Sequence, residues 1–278
     1  MKFLQSIKEL FSKIGSAIKD FFTKLGQAIK IFFADTKKRT VFIVITVSVF
    51  AVVLSCSLIF YNYVSDYYEA DLDAIRDVAS VGNPDIFDIE EGVTVFRPYN
   101  AKVGIIFYPG AKVDYRAYAP LMDALAERGI LSVLIEMPFN LAVLDVNAAD
   151  GIREKFPQIE NWYMAGHSLG GSMAASYMAK HKDDFDGMIL LASYSTADLT
   201  HTRVLSVYGS EDGVMNFEKY DKYKKNLPES FSETMIVGGN HAGFAMYGPQ
   251  GGDGNATITT IEQIENTVNA ILRFINEE

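Results

Sequence analysis

The sequence predicts an α/β domain, a mostly parallel sheet with helices on both faces, set behind a basic amphipathic helix and one transmembrane helix. Three observations predict it. From about residue 101 onward, short and almost wholly apolar runs alternate with segments of helical spacing, the pattern of strands buried on both faces by crossover helices. In the middle of that stretch, Gly166-His167-Ser168-Leu169-Gly170 stands between an apolar strand and a helix that opens on small residues. Far upstream, Val41 to Phe60 is a run of 20 residues with no charge.

Composition limits the possibilities. The chain has 278 residues and a net charge of -10, with a single cysteine, Cys56. An intrachain disulfide and a cysteine-based metal site are therefore excluded. The charge is uneven: residues 1–40 hold nine Lys/Arg against three Asp/Glu, and the remainder 16 against 32. An acidic main domain argues against nucleic acid as a partner.

Residues 1–39 read as a basic amphipathic helical segment. Apolar residues recur from Phe3 to Phe33 at gaps of mostly three or four, the spacing of one helical face. Phe11, Lys13, Ile14, Gly15, Ala17, Ile18, Lys19 and Phe21 repeat 11 residues on as Phe22, Lys24, Leu25, Gly26, Ala28, Ile29, Lys30 and Phe32. Eleven residues are close to three turns, so the apolar stripe keeps its direction. Lysines cover the other sides, and such a helix suits a membrane interface. Packing on a protein partner is the alternative.

Residues 40–65 read as a transmembrane helix, long enough for about 30 Å of hydrocarbon. Lys37, Lys38 and Arg39 precede it, and Tyr61, Tyr63, Tyr67 and Tyr68 with several acids follow. The positive-inside rule puts the N-terminus in the cytoplasm and residues beyond 65 outside, a single-pass signal-anchor arrangement at the cell membrane. The run is too long and begins too late for a cleaved signal peptide. Val53-Leu54-Ser55-Cys56 resembles a lipoprotein processing box only faintly, since it lies inside the apolar run. Residues 66–90 read as a mildly helical stalk or linker, and Val93–Phe96 as an edge strand closed by Arg97-Pro98.

In residues 91–278 the expected order is strand Val103–Tyr108, helix Tyr115–Arg128, strand Ile130–Ile135, helix Asp145–Phe156, strand Trp162–Ala165 and helix Gly170–Lys182. Strands Gly187–Ala192 and Val204–Tyr208, helix Phe217–Asn226, strand Thr234–Val237 and helix Thr257–Asn276 follow. The twelve residues from Ala192 to Val204 leave no room for a sizeable cap domain. Met137-Pro138-Phe139-Asn140-Leu141 would form one wall of an open site, or simply pack.

Gly-x-Ser-x-Gly between strand and helix is the shape of a nucleophile elbow, with Gly166 and Gly170 needed because side chains there would collide with the neighbouring strand and helix. A serine hydroxyl needs a base to take its proton and a carboxylate to orient that base. His201 and His241 lie late enough to serve. His241 follows a strand between glycines, whereas His201 sits at a strand's amino end. His181 reads as a helix end and His167 as packing. The acid is Asp212 in Gly209-Ser210-Glu211-Asp212-Gly213, with Glu211 and Asp198 as alternatives. Two backbone donors for the oxyanion are Leu169 and, after Pro109-Gly110, Ala111. Lys112 is a surface charge or a substrate contact. No metal-ligand cluster or phosphate-cradling loop stands in the sequence, so neither metal nor cofactor is expected.

These loops together resemble one known family. Phe107-Tyr108-Pro109-Gly110-Ala111-Lys112-Val113, Gly166-His167-Ser168-Leu169-Gly170-Gly171, Tyr208-Gly209-Ser210-Glu211-Asp212-Gly213 and Gly239-Asn240-His241-Ala242-Gly243-Phe244, with Tyr247-Gly248-Pro249-Gln250, look like the α/β-hydrolase fold-5 group, the dienelactone-hydrolase-like serine hydrolases. The resemblance covers about residues 90–278. It implies an α/β-hydrolase fold with Ser168, Asp212 and His241 as triad. Tyr108-Pro109-Gly110 stands where many esterases carry His-Gly-Gly. The implied function is a membrane-anchored serine esterase acting on a small-molecule or lipid-like ester. The alternatives are an acyltransferase using the same residues, or a silent hydrolase-like binding module.

Overall fold

The computed structural model describes residues 19–27, 30, 34–78 and 85–277. It divides into two units, Met1–Tyr63 and Val64–Glu278. In the first, residues 19–27 are helical, as the amphipathic spacing predicts. The rest of that segment's first 33 residues, apart from residue 30, lies outside the described residues. Helix α1, Thr36–Ser65, begins five residues earlier than the apolar run. Asp35 explains this: its carboxylate accepts the N–H groups of Lys37 and Lys38 at 3.0 and 3.2 Å, ending the helix on a satisfied first turn. By length and composition α1 is long and apolar enough to cross a membrane.

The second unit is an eight-stranded sheet of order β1-β2-β4-β3-β5-β6-β7-β8. The strands are β1 Asp85–Glu90, β2 Val93–Arg97, β3 Val103–Tyr108, β4 Ile130–Ile135, β5 Asn161–His167, β6 Gly187–Leu191, β7 Arg203–Gly209 and β8 Ser232–Ile236. From β4 to β8 all neighbours are parallel, while β1 and β2 pair antiparallel at one side. Period-2 alternation sorts the side chains into two cores. Ile105, Phe107, Tyr163, Ala165, Ile189, Leu191, Leu205 and Val207 point to one face, under helices α3 (Ala119–Glu127) and α6 (Thr260–Asn276). Ile106, Tyr108, Trp162, Met164, Met188, Leu190 and Val204 point to the other, under helix α4 (Leu169–Met178). Helix α5, Phe217–Tyr223, opens on Asn216, whose side chain accepts the Lys219 N–H at 2.8 Å.

Three expectations need correction. Residues 66–90 are helical in part, as read, but Asp85–Glu90 pairs into the sheet instead of continuing a linker. They contain helix α2 (Leu72–Val78), the strand β1, and an isolated bridge from Tyr68 to Val113. Val93–Arg97 is consequently an inner strand, and β1 is the edge. Residues 145–156 form turns and a single short 3₁₀ turn at Arg153–Lys155 instead of a helix. Ala149, Ile152 and Phe156 are buried at helical spacing, but Gly151 takes φ +74 and breaks the helical path. Tyr108 pins this stretch instead, accepting the Ala149 N–H and donating to the Val146 carbonyl, both at 2.9 Å.

Candidate active site

Parallel strands present all their carboxyl ends on one edge, and there the fold gathers the chemistry. Ser168 ends β5 and starts α4. Its backbone, φ 52 and ψ -125, is the strained turn of an elbow, costing roughly 1–2 kcal/mol. The turn needs its glycines. A Cβ on Gly170 would lie 2.1 Å from the Pro109 carbonyl oxygen, and one on Gly166 would lie 2.7 Å from the Gly170 and Gly171 backbone.

Asp212 follows β7 and His241 follows β8, the neighbouring strand. Their side chains are shut off from solvent and meet at 2.9 Å, Asp212 Oδ2 to His241 Nδ1. The other carboxylate oxygen of Asp212 accepts the N–H groups of Val214 and Met215 at 2.9 and 2.8 Å. A carboxylate so placed holds the imidazole proton on Nδ1 and leaves Nε2 as the acceptor. The elbow adjoins this pair: the ring of His167, the residue before Ser168, lies 4.5 Å from that of His241.

Other candidates stand apart. Glu211 is exposed and accepts from the Ser210 hydroxyl, and Asp198 is exposed and binds Thr200. His201 is exposed at the amino end of β7, and His181 stacks on Tyr177 after α4. Lys112 pairs with Asp66 at 2.9 Å. Among the described residues, the N–H groups of Leu169 and Ala111 donate to no protein acceptor. They are free donors at a helix N-terminus and in the loop after β3.

His167 packs, as expected, yet it also organises the site. Tyr118, wholly buried, accepts the Gly110 N–H at 3.0 Å and shares a hydrogen bond with His167 Nδ1 at 2.7 Å. One hydroxyl therefore ties the loop carrying Ala111 to the elbow. Burial, and secondly the nearby His241, hold the His167 imidazole well below the ordinary histidine range, so it stays neutral.

The sequence reading passed over two further residues. Asp253, in a glycine-rich loop, accepts from Gly213 N–H at 3.0 Å, His241 N–H at 3.2 Å, Ala242 N–H at 2.9 Å and Gly254 N–H at 2.8 Å. It clamps the acid loop to the base loop. Gln263, wholly buried in α6, accepts the Asn240 N–H at 3.0 Å and donates to the Asn240 carbonyl at 2.7 Å. An acidic residue between glycines after the base loop was the one signal available for Asp253. Nothing in sequence marked Gln263 beyond its helix.

Residues 104–265 match the model of the alpha/beta hydrolase family. A search of curated protein sequences finds no significant match. Among solved structures, MGS-MChE2, an alpha/beta hydrolase enzyme from a metagenome of lagoon sediments at Mar Chica, Morocco, superposes with a TM-score of 0.52 at 16% identity, over 70% of this chain and 100% of its own. TT1662 from Thermus thermophilus gives 0.51 at 12% identity, over 70% and 100%. Est1E from Butyrivibrio proteoclasticus with ferulic acid bound gives 0.49 at 15% identity, over 70% and 100%. With more than half its residues matched, the chain belongs to the alpha/beta hydrolase family.

Proposed function

We propose that this protein is a membrane-anchored serine hydrolase that cleaves carboxylic esters through an acyl-enzyme on Ser168. The observation that carries the reading is the buried Asp212–His241 pair at the carboxyl ends of adjacent strands, beside an elbow serine. Ser168 Oγ attacks the acyl carbon while its proton passes to His241 Nε2. The N–H groups of Leu169 and Ala111 receive the developing oxyanion. Collapse of the tetrahedral intermediate expels the alcohol, which takes the proton from the imidazolium. Water, deprotonated by the same imidazole, then frees the acid and restores the serine. Asp212 stays ionised throughout and orients the ring.

The anchor is residues 40–65, with the N-terminus in the cytoplasm and the hydrolase domain outside. The excess of Lys/Arg before the apolar run and the tyrosines after it support this orientation. A fluorophosphonate probe is expected to label the purified protein, and Ser168→Ala to abolish labelling and lower esterase kcat by at least about 10⁴-fold. A wild-type protein that neither labels nor hydrolyses 4-nitrophenyl esters would leave only the silent binding module.

A further inference from the structure

Residues 66–71, near the start of the hydrolase unit, are fastened to its loops. Three residues after Ser65, Tyr68 already bridges to Val113, in the loop that carries Ala111. Its N–H donates to the Lys112 carbonyl at 2.7 Å and its carbonyl accepts the Asp114 N–H at 2.9 Å. Its hydroxyl accepts the Gly251 N–H at 3.1 Å, and its ring packs 5.5 Å from that of Tyr247. Asp66 pairs with Lys112, and the Asp71 N–H donates to the Met246 carbonyl at 2.9 Å. Residues 66–71 thus strap together the loop that carries Ala111 and the loop that runs from His241 to Asp253.

A second feature lies at the same edge of the sheet. In the loop after β4, Phe139 is 60% exposed, Val143 52% and Leu144 49%. This loop joins the strapped loop directly, because the Asn140 carbonyl accepts the Lys112 N–H at 2.8 Å. Its turn at Ala142–Leu144 packs on α4, the helix that Ser168 leads. Phe139 and Asn140 both hold positive φ, 53 and 56, a strained backbone at the tip of this loop. Exposed apolar residues grouped beside a site mark a surface for an apolar ligand.

Three residues reach at most about 11 Å when fully extended. On the membrane-span reading, chain connectivity alone therefore holds these loops near the lipid surface. Resting on the esterase and membrane-span readings above, we propose that the substrate is an acyl ester resident in the lipid layer from which the chain emerges, its acyl chain meeting Phe139, Val143 and Leu144. The acidic domain selects a neutral or zwitterionic layer over an anionic one.

The test uses the full chain in phosphatidylcholine vesicles. Hydrolysis of 4-nitrophenyl palmitate partitioned into those vesicles is measured beside that of 4-nitrophenyl acetate in water. A second protein carries four EAAAK repeats between Ser65 and Asp66, a helical spacer that lifts the domain by about 30 Å and leaves the strap intact. The readout is the palmitate-to-acetate rate ratio, in which any loss of active protein cancels. The spacer is expected to lower this ratio by at least about tenfold, and a ratio kept within about twofold of wild type overturns the proposal. Absence of both activities in the wild type defeats the esterase reading itself, and the proposal falls with it.

Discussion

Asp253 directs both carboxylate oxygens at backbone N–H groups of the loops that carry Asp212 and His241. Asn at this position keeps the size but replaces one acceptor by a donor. Asp253→Asn is expected to lower kcat by between about 10- and 100-fold with KM little changed, read by steady-state kinetics on a 4-nitrophenyl ester. His167 makes a prediction of a different kind. Its folded pKa lies below the ordinary 6.5, so under acid conditions the unfolded chain takes up a proton that the folded one refuses. Its stabilising contribution is therefore complete above pH 6.5 and is lost as pH falls through and below that value. The urea midpoint is expected to drop between about pH 7.5 and pH 5, and to drop less in His167→Gln. The meeting of Asp212 with His241 was legible because each follows an apolar strand, and parallel strands deliver such residues to one edge. Asp253 and Tyr118 were not legible. Asp253 reaches Gly213, 40 residues away, and Tyr118 reaches His167, 49 away, and no periodicity registers a hydrogen bond between loops.

Elements show the same division. Long apolar strands were read to within two residues at each end, and the helices α3 to α6 to within four, since burial on both faces leaves a continuous signature. The edge strand β1, Asp-Ile-Phe-Asp-Ile-Glu, was read as linker because a charged edge strand has the composition of a solvated segment. Residues 145–156 misled through Ala149, Ile152 and Phe156, whose helical spacing arises from turns folded over the sheet. The contact between the elbow and the loop after β3 gives a sharp test. A methyl group at Gly170 has no space against the Pro109 carbonyl, so Gly170→Ala is expected to lose at least about 100-fold in kcat, as circular dichroism reports whether the fold survives. Helix α6 holds the base loop from behind. Gln263→Leu leaves the half-buried Asn240 N–H and carbonyl without this side chain and is expected to lower stability by about 1–2 kcal/mol in urea titration.

At the scale of the whole molecule, the chain separates its charges: basic before the apolar helix, acidic after it. Protease added to intact cells is expected to digest the hydrolase domain while sparing an epitope tag at the N-terminus. A fully protected domain reverses the orientation. The amphipathic pattern of residues 1–39 was the plainest periodicity in the sequence, yet most of it lies outside the described residues, and its purpose stays with the sequence reading. The bridge at Tyr68 bears on how such enzymes are produced for the bench. Trimming to the family-matched core, or starting at β1, would keep every residue of the proposed acid–base machinery while cutting away the piece that braces it. A recombinant fragment begun at Val64 should be active in solution, and one begun at Asp85 should be sluggish or inert. A negative assay on the shorter version would then report where the scissors fell, with no bearing on what the intact enzyme does.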